Sequence, residues 1–65
     1  MEKKKQVIFY GGKMIEVTVQ KTVMGDYIGY ANFPGDEAFG VHRNNDEDLA
    51  FRKAVEHLLM IKSNL

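Results

Sequence analysis

Residues 13–23 read KMIEVTVQKTV and decide the fold. Apolar side chains alternate here with polar ones. The apolar positions are Ile15, Val17, Val19 and Val23. A period of two is typical of a β-strand with one buried face and one exposed face. Lys21 is the one break on the apolar side, and we expect its aliphatic stem to lie along a sheet edge.

Turn signals on either side of this stretch divide the chain into five elements. Gly11-Gly12 tolerates the positive φ of a tight hairpin turn and closes a first strand over residues 6–10. Met24-Gly25-Asp26 and Pro34-Gly35 separate two further strands, over 27–33 and 37–43. A helix beginning near Asn44 is predicted by apolar residues at three- and four-residue intervals: Ala50, Phe51, Ala54, Val55, Leu58, Ile61 and Leu65.

The start of this helix carries a capping signature. Asn44 is followed three residues later by Glu47, as in a capping box, and the acidic run 46–48 suits the positive end of the helix dipole. We therefore interpret the run as a cap rather than a metal site. Together the elements predict one α+β domain over residues 1–65. An antiparallel meander of three or four strands precedes one C-terminal helix, which packs on one face of the sheet.

Charge and composition argue against several classes of function. Nine basic and nine acidic side chains cancel, which removes the long-range attraction that dominates nucleic-acid binding. The opening lysines, Lys3 to Lys5, are interpreted as part of a disordered end over residues 1–5, with an electrostatic arm as the alternative. No Cys and no apolar run long enough for a membrane span occur. We expect a cytoplasmic protein with no membrane contact and no cofactor.

Hairpin parity predicts which residues share a face of the sheet. Even-length loops at all three turns would bring one set to the helix side: Ile8, Ile15, Val17, Val19, Ile28, Tyr30, Phe39 and Val41. The other side would then expose an apolar cluster of the kind that marks interaction surfaces. The alternative is one odd-length loop, which would turn a strand over and place Tyr27 and Phe33 in the core. Gly29 and Gly40 indicate a bulge, tight packing, or close approach of a partner's backbone.

No residue pattern predicts catalysis. His42 and His57 are the only imidazoles, and no spacing places an acid or a nucleophile beside either of them. The one serine, Ser63, has no nucleophile-elbow context. No glycine-rich loop precedes the helix in the manner of a phosphate site. The sequence therefore predicts a protein that is not an enzyme.

Three segments resemble a known family in their order along the chain. Gly25-Asp26-Tyr27, then Phe33-Pro34-Gly35, then the helix opened by residues 46–50 resemble the antitoxin half of HicB-type toxin–antitoxin pairs, over residues 15–58. That family has a strand, a G-x-Y turn, a strand ending in F-P, and a helix rich in Glu and Ala. Its second Pro-Gly is missing here. The resemblance implies inhibition of a small toxin by direct protein contact.

The sequence as a whole predicts a small non-enzymatic protein-binding module, inhibitor-like or antitoxin-like, of the kind that phages or mobile elements encode. A protein partner is expected at the open sheet face, with a second copy of the chain as the alternative occupant. Nucleic-acid binding through the sheet and the N-terminal lysines is the second hypothesis. The predicted partner-binding residues are Phe9, Met14, Tyr27, Gly29, Phe33, His42, Leu49 and Met60.

Overall fold

The computed structural model describes residues 3–63, which form four strands followed by one helix. The elements are β1 (Lys3–Tyr10), β2 (Lys13–Lys21), β3 (Tyr27–Asn32), β4 (Phe39–Asn44) and α1 (Glu47–Ser63). The strands pair antiparallel in chain order, so β1 and β4 are the two edges of a single sheet. The predicted ββββα architecture is confirmed.

Strand β1 begins earlier than the sequence predicts. Lys3, Lys4 and Lys5 belong to β1 and pair along the far end of β2. The prediction of a disordered end is wrong for these three residues, because the nine-residue strand β2 provides a ladder long enough to order them. Met1 and Glu2, the rest of that predicted end, lie outside the described residues.

The first hairpin follows the predicted geometry. Gly11 and Gly12 have φ of 57° and 80°, the left-handed region that a two-residue primed turn requires. Tyr10 therefore pairs with Lys13 across the turn, and the rest of the β1–β2 ladder follows in the predicted register.

The second loop turns β3 over relative to β2. Lys21 pairs with Tyr27, so this loop spans five residues, 22–26, and is not the even-length loop predicted. The Thr22 amide donates to the Asp26 carbonyl at 2.8 Å, and the Gly25 amide donates to the Thr22 carbonyl at 3.1 Å. An odd loop length moves every following side chain to the opposite face.

The third loop keeps β3 and β4 on a common face. It spans residues 33–38, where the Asp36 amide donates to the Phe33 carbonyl at 3.0 Å. Tyr30 therefore pairs with Val41 instead of Phe39. Together the two loops reverse the predicted faces of β3 and β4. Four residues predicted to be core lie on the side away from α1: Ile28, Tyr30, Phe39 and Val41. Four of the predicted partner-binding residues lie on the helix side instead: Tyr27, Gly29, Phe33 and His42.

Helix α1 begins at Glu47, and Asp46 is its N-cap. The Asp46 carboxylate accepts the amides of Asp48, at 2.9 Å, and Leu49, at 3.3 Å. Asn44 instead accepts the Asp46 amide at 2.9 Å in the turn that precedes the helix. The acidic run thus provides the cap, as predicted, but the N-cap residue is Asp46 and not the Asn44 of the predicted capping box. Leu65, the last predicted helical residue, lies outside the described residues.

The core forms where α1 lies directly on the backbone of β3 and β4. Its buried residues come from β2, β3 and α1: Ile15, Val17, Val19, Ala31, Ala50, Ala54 and Leu58. A Cβ atom on Gly29 would lie 2.2 Å from the Ala50 carbonyl oxygen, and one on Gly40 would lie 2.4 Å from that of Ala54. The tight-packing interpretation of these glycines is therefore confirmed.

The helix covers only part of the sheet. Helix α1 packs on β2, β3 and β4, whereas no Cα atom of α1 lies within 8 Å of a Cα atom of β1. Across this gap, Lys4 Nζ reaches Glu47 Oε2 at 3.5 Å, and Ile8 packs against the rim of the core. Strand β1 therefore depends mainly on β2 for its place in the fold.

Candidate interaction surface

The side of the sheet away from α1 is called the open face. By the strand register it carries alternate residues of all four strands: Lys3, Lys5, Val7, Phe9, Met14, Glu16, Thr18, Gln20, Ile28, Tyr30, Asn32, Phe39, Val41 and Arg43. No second layer covers it among residues 3–63.

Large apolar side chains on the open face are exposed. Phe9 is 73% exposed, Phe39 56% and Tyr30 41%. Phe9 pairs with Met14 at one end of the face, while Tyr30 and Phe39 lie together on β3 and β4. A solvated face would carry mainly polar side chains at these positions, so this composition indicates a contact surface.

A polar strip on β2 separates the two apolar areas. It consists of Glu16, Thr18 and Gln20, and Glu16 Oε2 lies 3.5 Å from Lys5 Nζ of the neighbouring strand. Basic side chains at Lys3, Lys5 and Arg43 outnumber the single carboxylate on this face. The open face is therefore apolar with a basic border, in which Lys5 pairs with Glu16 and Arg43 pairs with Asp26 of the β2–β3 loop.

An ion pair fixes one corner of this face. The carboxylate of Asp26, in the β2–β3 loop, accepts hydrogen bonds from the Thr22 hydroxyl and from Arg43 Nε on β4. A second contact joins Arg43 Nη2 to Asp26 Oδ1 at 3.4 Å. The Arg43 hydrogen bond, and then that of Thr22, hold the pKa of Asp26 below its usual value. The pair thus holds the five-residue loop against β4.

Asp26 should give the fold a measurable sensitivity to acid. Because its pKa is lower in the folded chain than the ordinary 3.8, its stabilisation is present above about pH 4 and is lost as pH falls through the folded pKa. Asp26→Asn should therefore melt at a lower temperature than wild type near neutral pH. At about pH 2.5 the difference between the two melting temperatures should be smaller. Circular dichroism melts across this pH range provide the measurement.

Glu37→Gln is the matched control for this measurement. Glu37 is exposed in the loop between β3 and β4, and its carboxylate has no ion pair within residues 3–63. Its melting temperature should stay close to that of wild type near neutral pH. Part of the acid sensitivity should survive in Asp26→Asn, because the Ala38 amide and Lys62 also hold the pKa of Asp36 below its usual value. If the difference in melting temperature between Asp26→Asn and wild type stays constant with pH, the role given to Asp26 is wrong.

The structure places only two of the predicted partner-binding residues on the open face. Phe9 and Met14 face one another across β1 and β2 on the open face, where the sequence places them. The predicted open-face positions of Tyr27, Gly29, Phe33 and His42 are wrong, because the odd loop turns these residues toward α1. Tyr27 and Phe33 pack against the core there.

The other two predicted residues lie on α1. Leu49 is half-buried in the first turn. Met60 is exposed and, with Leu59 and Lys62, borders a shallow depression near Tyr10 at the end of β1. Neither side chain reaches the open face.

Sequence reasoning assigned the largest open-face residues, Tyr30 and Phe39, to the core. The signal that could have placed them is the run of small residues on the same strands. Gly29, Ala31 and Gly40 match Ala50 and Ala54, which stand four residues apart on the helix. Small residues on both partners indicate close helix–sheet contact, and this would have assigned the opposite side of β3 and β4 to the open face.

Residues 3–63 contain no cluster of metal-ligating side chains. No group of three or more His, Cys, Asp or Glu side chains in this range could hold a metal ion. His57 Nδ1 lies 3.2 Å from the amide nitrogen and 3.0 Å from the carbonyl oxygen of Val41, so it contacts the outer edge of β4. The described helix is too short and too polar to cross a membrane. Comparisons with family models, curated proteins and solved structures find no match for this chain.

Proposed function

We propose that this protein is a non-enzymatic binding module that recognises another protein through its open face. The observation that carries the proposal is the exposure of Phe9, Tyr30 and Phe39 on one side of the sheet. Aromatic side chains are enriched among the residues that contribute most to protein interfaces, because they bury a large area at low entropic cost. The basic border suits a partner with acidic residues around an apolar centre.

The action proposed for this module is inhibition in the cytoplasm. A chain without cysteines suits a reducing compartment. The resemblance to HicB-type antitoxins supports a small toxin or enzyme as the target, as expected of a protein from a phage or mobile element. A rigid sheet face can block such a target by covering its active surface.

Affinity capture with a paired variant tests this function. A tagged wild-type chain is incubated with lysate of the native host, and bound proteins are identified by mass spectrometry. We expect a protein that is lost when Tyr30→Ser and Phe39→Ser are combined, because these changes remove two anchors of the open face. Met60→Ser is the control, since Met60 is exposed on α1 and should keep the partner.

Two results would contradict the proposal. One is a captured protein that the Tyr30/Phe39 double variant retains while its circular dichroism spectrum matches wild type. The other is capture of nucleic acid alone. Tyr30 and Phe39 lie on β3 and β4, so the double variant leaves the sequence of strand β1 unchanged.

Nucleic-acid binding is the second candidate, and the strand register favours it. The register places Tyr30 and Phe39 on the face that also carries Lys3, Lys5 and Arg43. Aromatic side chains on a sheet can stack on bases while basic side chains contact phosphates. The zero net charge of the chain argues against it. Fluorescence anisotropy with a labelled single-stranded oligonucleotide would show a steep loss of affinity with salt if this candidate is correct.

A further inference from the structure

Strand β1 presents an open backbone edge. It pairs with β2 on one side, and no other described element lies along its outer side. In a two-residue hairpin the residues that flank the turn are hydrogen-bonded to each other. Tyr10, and therefore Ile8, direct their backbone groups toward β2, while Phe9, Val7 and Lys5 direct theirs outward.

The outer edge of β4, on the opposite side of the sheet, is contacted by a side chain of α1. His57 of α1 contacts both backbone groups of Val41 in the middle of β4. This contact shields β4 from a further strand, whereas α1 leaves β1 uncovered. Unprotected edges are where proteins add strands from other chains.

The sequence of β1 favours an antiparallel copy of itself. Its first half carries three lysines, and its second half carries apolar and aromatic residues. Parallel pairing in register would place lysine beside lysine, which is unfavourable. Antiparallel pairing centred on Val7 would place Lys5 opposite Phe9 of the second copy, and Lys4 opposite Tyr10. A lysine beside an aromatic ring is favourable, and the chain already has one such contact, with Lys13 Nζ 5.8 Å from the ring centroid of Phe33.

We propose that β1 is a self-association strand. Two copies pair antiparallel through β1, with Val7 beside the two-fold axis, and form one continuous eight-stranded sheet. The two open faces then lie side by side, and both helices lie on the other side. Such an interface is smaller than the roughly 1,600 Å² of a stable complex. We therefore expect dissociation on the order of micromolar concentrations. This inference does not rest on the proposed function.

A single cysteine tests the pairing directly. The chain has no native cysteine, so Val7→Cys introduces one thiol per copy. Hydrogen-bonded antiparallel residues have Cα atoms about 5.5 Å apart, which is within the range that a disulfide spans. Under mild oxidation we expect a covalent dimer of twice the 7.4 kDa chain mass.

Val23→Cys is the matched control for crosslinking. Val23 is 90% exposed, but it lies in the β2–β3 loop, away from β1. It should crosslink far more slowly than Val7→Cys at the same concentration. Equal rates for the two variants would mean that random collision produces the dimer, and this would overturn the proposal.

Sedimentation equilibrium tests the unmodified chain. We expect its mass to rise toward twice the chain mass with concentration, and Val7→Lys to weaken the dimer about tenfold or more by placing like charges on the axis. The Tyr30/Phe39 double variant should dimerise as wild type does, so failure of this proposal is separable from failure of the proposed function. A wild-type chain that remains monomeric up to about millimolar concentration would overturn it, even if Val7→Cys can be crosslinked.

Discussion

Alanine at Gly40 should prevent the domain from folding stably. Its Cβ atom would lie 2.4 Å from the Ala54 carbonyl oxygen and 2.5 Å from the Leu58 amide nitrogen. Both contacts are with helix backbone, so no side-chain rotation can relieve them and α1 must move away from the sheet. Overpacking that side chains can absorb typically costs about 1–3 kcal/mol. We expect about 3 kcal/mol or more here, close to the roughly 3–5 kcal/mol that a core of this size supplies.

Urea unfolding followed by circular dichroism measures this effect. Gly29→Ala should behave like Gly40→Ala, because its Cβ atom would lie 2.2 Å from the Ala50 carbonyl oxygen. Thr18→Ala, on the open face of β2, is the control and should stay within about 1 kcal/mol of wild type. Midpoints for the glycine variants equal to that of Thr18→Ala would mean that α1 does not rest on the sheet backbone.

Leu58→Ala should be the most damaging truncation in the helix. Leu58 is fully buried and is one of the largest side chains in the core. Because the helix backbone at Leu58 already lies against Gly40, α1 cannot move closer to the sheet, and the cavity left by the change should stay largely open. Buried leucine truncations cost about 2–5 kcal/mol, and we expect the upper part of that range.

Met60→Ala is the matched control for this truncation. Met60 is on the same helix but is 62% exposed, so its loss removes little buried area. The free energies of unfolding from urea titrations should differ by about 2 kcal/mol or more between the two variants. A smaller difference would place Leu58 outside the core.

The sequence was sufficient to predict the elements of this fold. The strict alternation at Ile15, Val17 and Val19 has one structural solution, a strand with one buried face. Gly11-Gly12 also has one solution, a two-residue turn, and this turn fixes β1 relative to β2. The helix followed from its apolar spacing. For these reasons the predicted positions of Phe9 and Met14 are correct.

The faces of β3 and β4 could not be predicted by the same reasoning. Even-length loops assign Ile28 and Tyr30 to the core, and their size and apolar character agree with that assignment. In the structure, close approach of α1 selects the small residues instead. Loop parity depends on the hydrogen bonds between Thr22 and Asp26, which an apolar pattern does not reveal. The predicted binding residues on these strands were therefore on the wrong side.

Helix α1 follows all four strands along the chain, and this order matters during synthesis on the ribosome. The buried face of β2 emerges long before Ala50, Ala54 and Leu58, which cover it. Until the helix has been made, nothing in the chain covers the side chains of Ile15, Val17 and Val19. A nascent chain that still lacks the helix therefore exposes the apolar side of β2 to water.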